Sequence, residues 1–362
     1  MPRACERDAG RVPIVKRLLA AFRQQRLPVA RIAFNQRAVR GPWGGSSAFV
    51  SQLAPVLERR GYDVVFGLDG EIDLIVLVDP RVGEHKPFGI DEIARYKERR
   101  PETLILHRVN ECDQRKATDF MDDLLRRAND LADFTVFISE WLRDYHAERW
   151  FDRSRPNAVV YNGADPAVFH PLGAEPFRRR ERFRVVTHHW SHHALKGFDT
   201  YREIDGLIAS GALPGVELWV IGNWPAEIRW KAAHTFAPTH GHDLAARLRR
   251  CHAYVTASLW EPCGMHHVEG AQCGLPLLYH EDGGGIVEAG RRYGLGFRDD
   301  VASAVRSMRD GIEAYRRRVF EHMPSGDRMA LEYADIVQGV LCNWGQAGPD
   351  GARTRADAAS GR

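Results

Sequence analysis

The chain has 362 residues, of which 44% are hydrophobic and 27% charged, with a net charge of +3. That length exceeds one ordinary core and fits two globular domains. The near-balanced charge implies neither a nucleic-acid partner nor an acidic tail. Six scattered cysteines form no C-x-x-C pair, which argues against a disulfide framework and a thiolate zinc site.

From the N-terminus, residues 1–27 read as an extension containing the basic amphipathic helix RVPIVKRLLAAFRQQR (11–26). It is expected to pack on its own domain, with weak peripheral contact to an anionic membrane as a second reading. No apolar run reaches the length of a membrane span and no signal peptide is visible, so a cytoplasmic chain is expected.

Short β runs then alternate with helical stretches over 28–165. VARIAFN (29–35) predicts a strand, RGPWGGSS (40–47) a glycine loop, and AFVSQLAPVLERRG (48–61) a helix closed by Gly61. YDVVFGL, DLIVLVD, TLILHRV, TVFIS and NAVVYNG predict further strands. GIDEIARYKERRP, DFMDDLLRRANDLA and EWLRDYHAE predict the helices between them. Strands separated by helices imply right-handed βαβ units and a parallel sheet.

Residues 166–183, rich in Pro, Gly and Arg, predict a linker. A second series over 184–327 follows: strands RVVTHHW, VELWVIGN, AYVTAS and PLLYHED, with helices TYREIDGLIASG, DLAARLRRC and IVEAGRRYG among them. VASAVRSMRDGIEAYRRRVF predicts one more helix, and 328–344 a terminal helix crossing back to the first domain. The tail 345–362 lacks large apolar residues and predicts disorder. The fold class is α/β, with two doubly wound, Rossmann-like halves facing across a cleft, and open α/β sheets bind ligands there.

EPCGMHHVE (261–269) carries the sharpest signal. Pro262 and Gly264 break any helix through Glu261, so a loop holds Glu261 and a helix starting near Gly264 carries Glu269. The first amides of that helix suit an anion. Lys196, between a strand and Gly197, is placed to reach a phosphate as a point charge. The Gly44–Gly45 loop, Gly222 and the Gly283–Gly285 loop before Glu288 stand where strands end, and glycines there let the backbone approach a ligand, which makes Gly222 a donor-binding candidate. His188, His189, His192, His193, His266 and His267 invite a zinc site, but adjacent His residues on a strand point to opposite faces. No H-E-x-x-H and no D-x-D occurs, so no metal is expected.

In this order the features resemble the retaining GT-B glycosyltransferases of family 4, over about residues 28–342. EPCGMHHVEGAQCGLPLL matches that family's E-x7-E signature, and RVVTHHWSHHALKGFDTY its Lys-Gly region. Where the family usually has an Arg five residues before the lysine, this chain has Ser191. The resemblance implies a nucleotide-diphosphate sugar donor, with UDP as its nucleotide, and an acceptor hydroxyl on a saccharide, a lipid-linked saccharide or a small natural product. No cofactor is implied. By the same resemblance Lys196, Ser191 and a neighbouring His hold the diphosphate, Glu261 contacts the transferred sugar, and Gly264 and Met265 present amides. Glu269 accepts from the ribose, and Gly44 and Gly45 close over the diphosphate. His107, at a strand end in TLILHRVNECD, is the acceptor-side candidate, with a satisfied core histidine as the competing reading. Asn110, Glu111 and Asp113 are next. The rival functions are a GT-B nucleotide-sugar epimerase or hydrolase and a non-catalytic nucleotide-sugar-binding protein. A dinucleotide-dependent oxidoreductase is disfavoured, because no G-x-G-x-x-G follows the first strand.

Overall fold

A computed structural model describes residues 30–39 and 45–359, with the side chains described as far as Cys342. The basic helix expected at 11–26 and the loop residue Gly44 lie outside the described residues.

The first sheet comprises β1 (Arg31–Phe34), β2 (Asp63–Val65), β3 (Leu74–Leu77), β4 (Leu104–Val109), β5 (Phe134–Phe137) and β6 (Asn157–Val159). It is fully parallel in the order β2-β1-β3-β4-β5-β6. Ile32 faces Leu74 and Leu106 faces Phe134 across the ladder. β3 and β4 are buried along their whole length, as a parallel sheet covered on both faces requires.

The second sheet comprises β7 (Phe183–His189), β8 (Val216–Gly222), β9 (His234–Phe236), β10 (Ala253–Thr256), β11 (Leu277–His280) and β12 (Gly294–Phe297). It too is parallel, in the order β12-β11-β10-β7-β8-β9. That is the dinucleotide-fold order 3-2-1-4-5-6, and its strand order reverses between β7 and β10. The first sheet reverses between β1 and β3. A ligand site is expected beyond the carboxyl ends of the strands at those two points.

β9 and β12 are not legible in the sequence. Both are short edge strands, and β12 contains two glycines, which carry no strand preference. The helix expected over 301–320 divides at Gly311 into Val301–Asp310 and Ile312–His322.

The chain returns to the first domain through the helix Gly326–Ala359. Met329, Ala330, Tyr333, Ala334 and Val337 join the core made by β1, β3 and the helix Gly45–Arg59. The Tyr333 ring meets Phe49 edge-on at 4.7 Å. The backbone stays helical through Ala359, where disorder was expected from residue 345. The run from residue 345 holds Pro349 and the glycines at 345, 348 and 351, all unfavourable inside a helix, so its sequence does not account for the continuation.

The two domains are packed together. One apolar cluster runs from Phe137, Ile138 and Leu142 to Cys263, Ile286 and Tyr293. No described helix is long and apolar enough to cross a membrane.

Candidate functional site

Glu261 owes its place to a loop that leaves β10 and docks on the glycine loop after β11. The amide of Trp260 donates to Asp282 O at 2.9 Å, and that of Glu261 to Gly283 O at 3.1 Å. Trp260 has φ 51°, a left-handed conformation that is costly for a bulky side chain and that clusters at functional sites. A Cβ on Gly284 would come within 2.9 Å of the Trp260 backbone, so this contact needs glycine.

Lys196 ends the 3-10 turn Ala194–Lys196 that follows β7. Gly197 behind it has φ +75°, and a Cβ there would sit 2.2 Å from Ala257 O, hence the Lys-Gly pairing. The Lys196 ammonium lies 2.8 Å from Glu261 Oε2. A second cation, Arg115 of the first domain, places Nη2 at 2.8 Å from the same oxygen. All three side chains are buried. Burial opposes the Glu261 charge, but Lys196 and Arg115 outweigh it and hold the carboxyl well below its usual range. Burial lowers the Lys196 pKa against the pull of Glu261.

The helix Met265–Gln272 begins four residues after Glu261, with Gly264 as its N-cap. A Cβ on Gly264 would strike the His266 ring at 2.4 Å. The first N–H groups of a helix have no intrahelical acceptor. Gly264, Met265 and His266, at this helix start, line the cavity. One turn on, Glu269 Oε2 lies 2.8 Å from His188 Nε2. His188 also meets the Tyr254 hydroxyl at 3.1 Å.

Glu261, Lys196, Arg115, Glu269, His188 and the start of the helix line a cavity of about 660 Å³ between the domains, at the reversal points of both sheets. Gly45 lines it from the first domain, where a Cβ would lie 3.2 Å from Met265 Cγ. Ser191, exposed, lines it too and accepts from the His193 amide at 3.2 Å. Asn110 donates to Ser46 Oγ at 3.1 Å. Glu111, whose pKa burial raises, lies 3.3 Å from Lys116.

Three sequence-derived candidates fall elsewhere. His107 is fully buried on the face of β4 opposite the cleft, with Nδ1 3.3 Å from Asn129 Nδ2. Burial, then His146 and Arg155, push its pKa down to about 3, so it is a neutral core residue. Gly222 has φ +112° and packs on the β7 backbone, where a Cβ would lie 2.0 Å from His189 O. It serves close strand pairing and does not line the cavity. Asp113 caps its own turn, accepting from Thr118 Oγ1 at 2.6 Å and from the Met121 amide at 2.8 Å.

The histidines do converge: His266 has ring centroids 5.3 Å from His189 and 6.4 Å from His188. Their partners are hydroxyls and Glu269. His189 Nε2 lies 2.9 Å from Tyr201, and His266 Nε2 3.1 Å from Thr256 Oγ1. Among the described residues, no group of three or more His, Cys, Asp or Glu is placed to hold a metal ion.

Sequence reasoning missed the residues that join the domains. Arg115 carries no local signal, since its role comes from tertiary contact alone. Arg108, over the Phe49 ring at 4.4 Å, donates to Asn162 Oδ1 at 2.9 Å, and Asn162 Nδ2 donates to Cys263 O at 2.8 Å. Glu288, singled out only as the end of the glycine loop motif, accepts from the Trp141 amide at 2.6 Å, the Glu140 amide at 3.2 Å and the Tyr161 hydroxyl at 2.5 Å.

No protein-family model and no curated protein matches the chain. Solved structures do. A sucrose-phosphate synthase from Thermosynechococcus elongatus is similar with a TM-score of 0.60 at 15% identity, over 87% of this chain and 100% of that one. Anabaena HepE, solved with UDP, gives 0.61 at 14%, over 86% and 100%. WaaG, a glycosyltransferase involved in lipopolysaccharide biosynthesis, gives 0.57 at 14%, over 85% and 100%. At such identity the likeness speaks to fold: the chain has the two-domain GT-B fold of these glycosyltransferases.

Proposed function

We propose that the chain is a retaining glycosyltransferase of family 4. In this reading it moves a hexosyl group from a nucleotide-diphosphate sugar, with UDP as the nucleotide, to an acceptor hydroxyl, without a metal. The acceptor class is a saccharide, a lipid-linked saccharide or a small natural product. The proposed setting is the cytoplasm, with weak contact of segment 11–26 to an anionic membrane.

One observation carries the reading. Lys196 and the start of helix Met265–Gln272 meet around Glu261, inside an interdomain cavity at the point where the second sheet reverses. Cleaving a sugar–diphosphate bond leaves negative charge on the departing oxygen and positive charge at the anomeric carbon. An ammonium and oriented amides stabilise the first, most strongly where water is excluded. A carboxylate on the sugar hydroxyls orients the ring and tolerates the second. These protein cations would take the place of a divalent ion. In a front-face displacement the acceptor oxygen bonds to the anomeric carbon on the side the diphosphate leaves. The departing phosphate oxygen takes the hydroxyl proton, so the reaction needs no protein base. That suits a cleft from which His107 is absent. HepE has been solved with UDP-glucose, which favours UDP as the first donor nucleotide to try.

The test is a panel of nucleotide sugars offered with and without candidate acceptors, reading release of the nucleoside diphosphate and the anomeric configuration of the product. Acceptor-dependent release with retention, unchanged in excess chelator, is expected. Release without acceptor, an inverted product, or restoration by one divalent ion after chelation would each overturn the corresponding part.

A further inference from the structure

Two cations share one carboxylate oxygen at the cavity wall. Lys196 and Arg115 both lie 2.8 Å from Glu261 Oε2, and the Arg115 side chain is only 7% exposed. The neighbouring Lys116 is matched by Glu111 at 3.3 Å. The three-residue cluster therefore carries one positive charge in excess. A buried net charge is costly unless an anion meets it. All three side chains line the cavity next to Gly264 and Met265.

The two cations come from opposite domains. Arg115 sits on the turn Asp113–Lys116 of the first domain, which Asp113 fixes by accepting from the amides of Met121 and Asp122. Lys196 belongs to the second. Ser191, five residues before Lys196, brings no charge of its own. A diphosphate carries more negative charge than one ammonium neutralises, and a guanidinium offers a planar fork that fits a phosphate edge.

We infer that Arg115 is the second cationic ligand of the donor diphosphate, supplied across the cleft by the acceptor-side domain. This rests on the proposed donor class and adds to it. Glu261 holds Arg115 and Lys196 in place while the cleft is empty. The arriving diphosphate then takes over both cations and releases the carboxylate for the sugar. Binding the donor thereby ties the two domains to each other.

Calorimetric titration with UDP, inorganic pyrophosphate and uridine tests this. It uses the wild type, Arg115→Ala, Arg115→Lys, Glu261→Gln and the Arg115→Ala/Glu261→Gln double variant, each checked by its melting curve. Arg115→Ala should weaken UDP and pyrophosphate roughly 10- to 100-fold while leaving uridine unchanged, with Arg115→Lys in between. The same loss should persist in the Glu261→Gln background, because it arises from contact with phosphate. If Arg115 acts only by holding Glu261, removing it adds no loss once Glu261 is neutral, and the inference falls. Wild-type binding of UDP with equal binding by Arg115→Ala also overturns it, leaving the proposed function standing. A wild type that binds neither UDP nor pyrophosphate overturns both.

Discussion

Arg115 of the first domain and Glu261 of the second are joined at 2.8 Å, on the same oxygen that holds Lys196. The three side chains form an unequal cluster, and the inequality has a measurable consequence. Removing Lys196 leaves one cation against one carboxylate. Removing Glu261 leaves two buried cations facing each other. Lys196→Ala should therefore melt within about 1 kcal/mol of the wild type, while Glu261→Ala should lose about 3–5 kcal/mol. Both should cut turnover about 100- to 1000-fold. Urea unfolding alongside steady-state assays checks the pair; equal stability losses would contradict the cluster.

Glu269 lies 2.8 Å from His188, where a ribose is expected to sit. A carboxylate there favours a ligand with hydroxyls to donate. The wild type should prefer UDP over its 2′,3′-dideoxy analogue, and Glu269→Ala should erase that preference, at a cost of about 10- to 100-fold in UDP affinity. A preference that survives the substitution would remove Glu269 from ribose binding.

Glu288 caps the helix Glu140–Ala147 from the other domain, through the amides of Glu140 and Trp141. Glu288→Ala should cost about 1–3 kcal/mol and expose those amides. Hydrogen exchange at residues 139–142 should rise in the variant, with the rest of the first sheet unchanged. Exchange that does not move would show that the cap contributes nothing.

Burial holds His107 down to about 3, and His146 and His267 down to about 4. Unfolded, each titrates near ~6.5. The unfolded chain thus binds more protons below that pH, and stability falls as pH drops. The contribution is complete above about pH 6.5 and is lost towards pH 4, by about 1.4 kcal/mol per pH unit for each histidine. Glu261, depressed instead, keeps its contribution down to about pH 4.3, the unfolded value, and loses it only below. Urea midpoints should be flat from pH 7 to 8 and fall steeply from 6.5 to 5. A flat profile across that lower window would mean that these rings are charged in the fold.

The alternation of strands and helices, and the triple of Lys196, Glu261 and Glu269, are legible because each is written locally. Pro262 and Gly264 mark where a loop becomes a helix, and Gly197 marks the tight approach to Ala257. His107 misleads for a physical reason. β4 is buried on both faces, so LILHRV shows no polar alternation, and nothing reveals that Arg108 and not His107 faces the cleft. Arg115 sits on a four-residue turn with no periodicity, and only the closing of one domain on the other brings it to Glu261. Gly222 looked like a ligand glycine because a glycine at a strand end serves either a ligand or a neighbouring strand. Its proximity to His189 O is a tertiary fact.

The central claim is that a nucleotide diphosphate sugar lodges between the domains on Lys196 and the first amides after Glu261. Thermal melting with UDP, UMP, NAD and a panel of nucleotide sugars, run on the wild type and Lys196→Ala, tests it most directly. The wild type should gain about 2.7 kcal/mol of stability at a UDP concentration a hundred times its Kd, UMP and NAD should do little, and Lys196→Ala should lose most of the gain. No stabilisation of the wild type by any nucleoside diphosphate or its sugar, or equal stabilisation of Lys196→Ala, would contradict the claim.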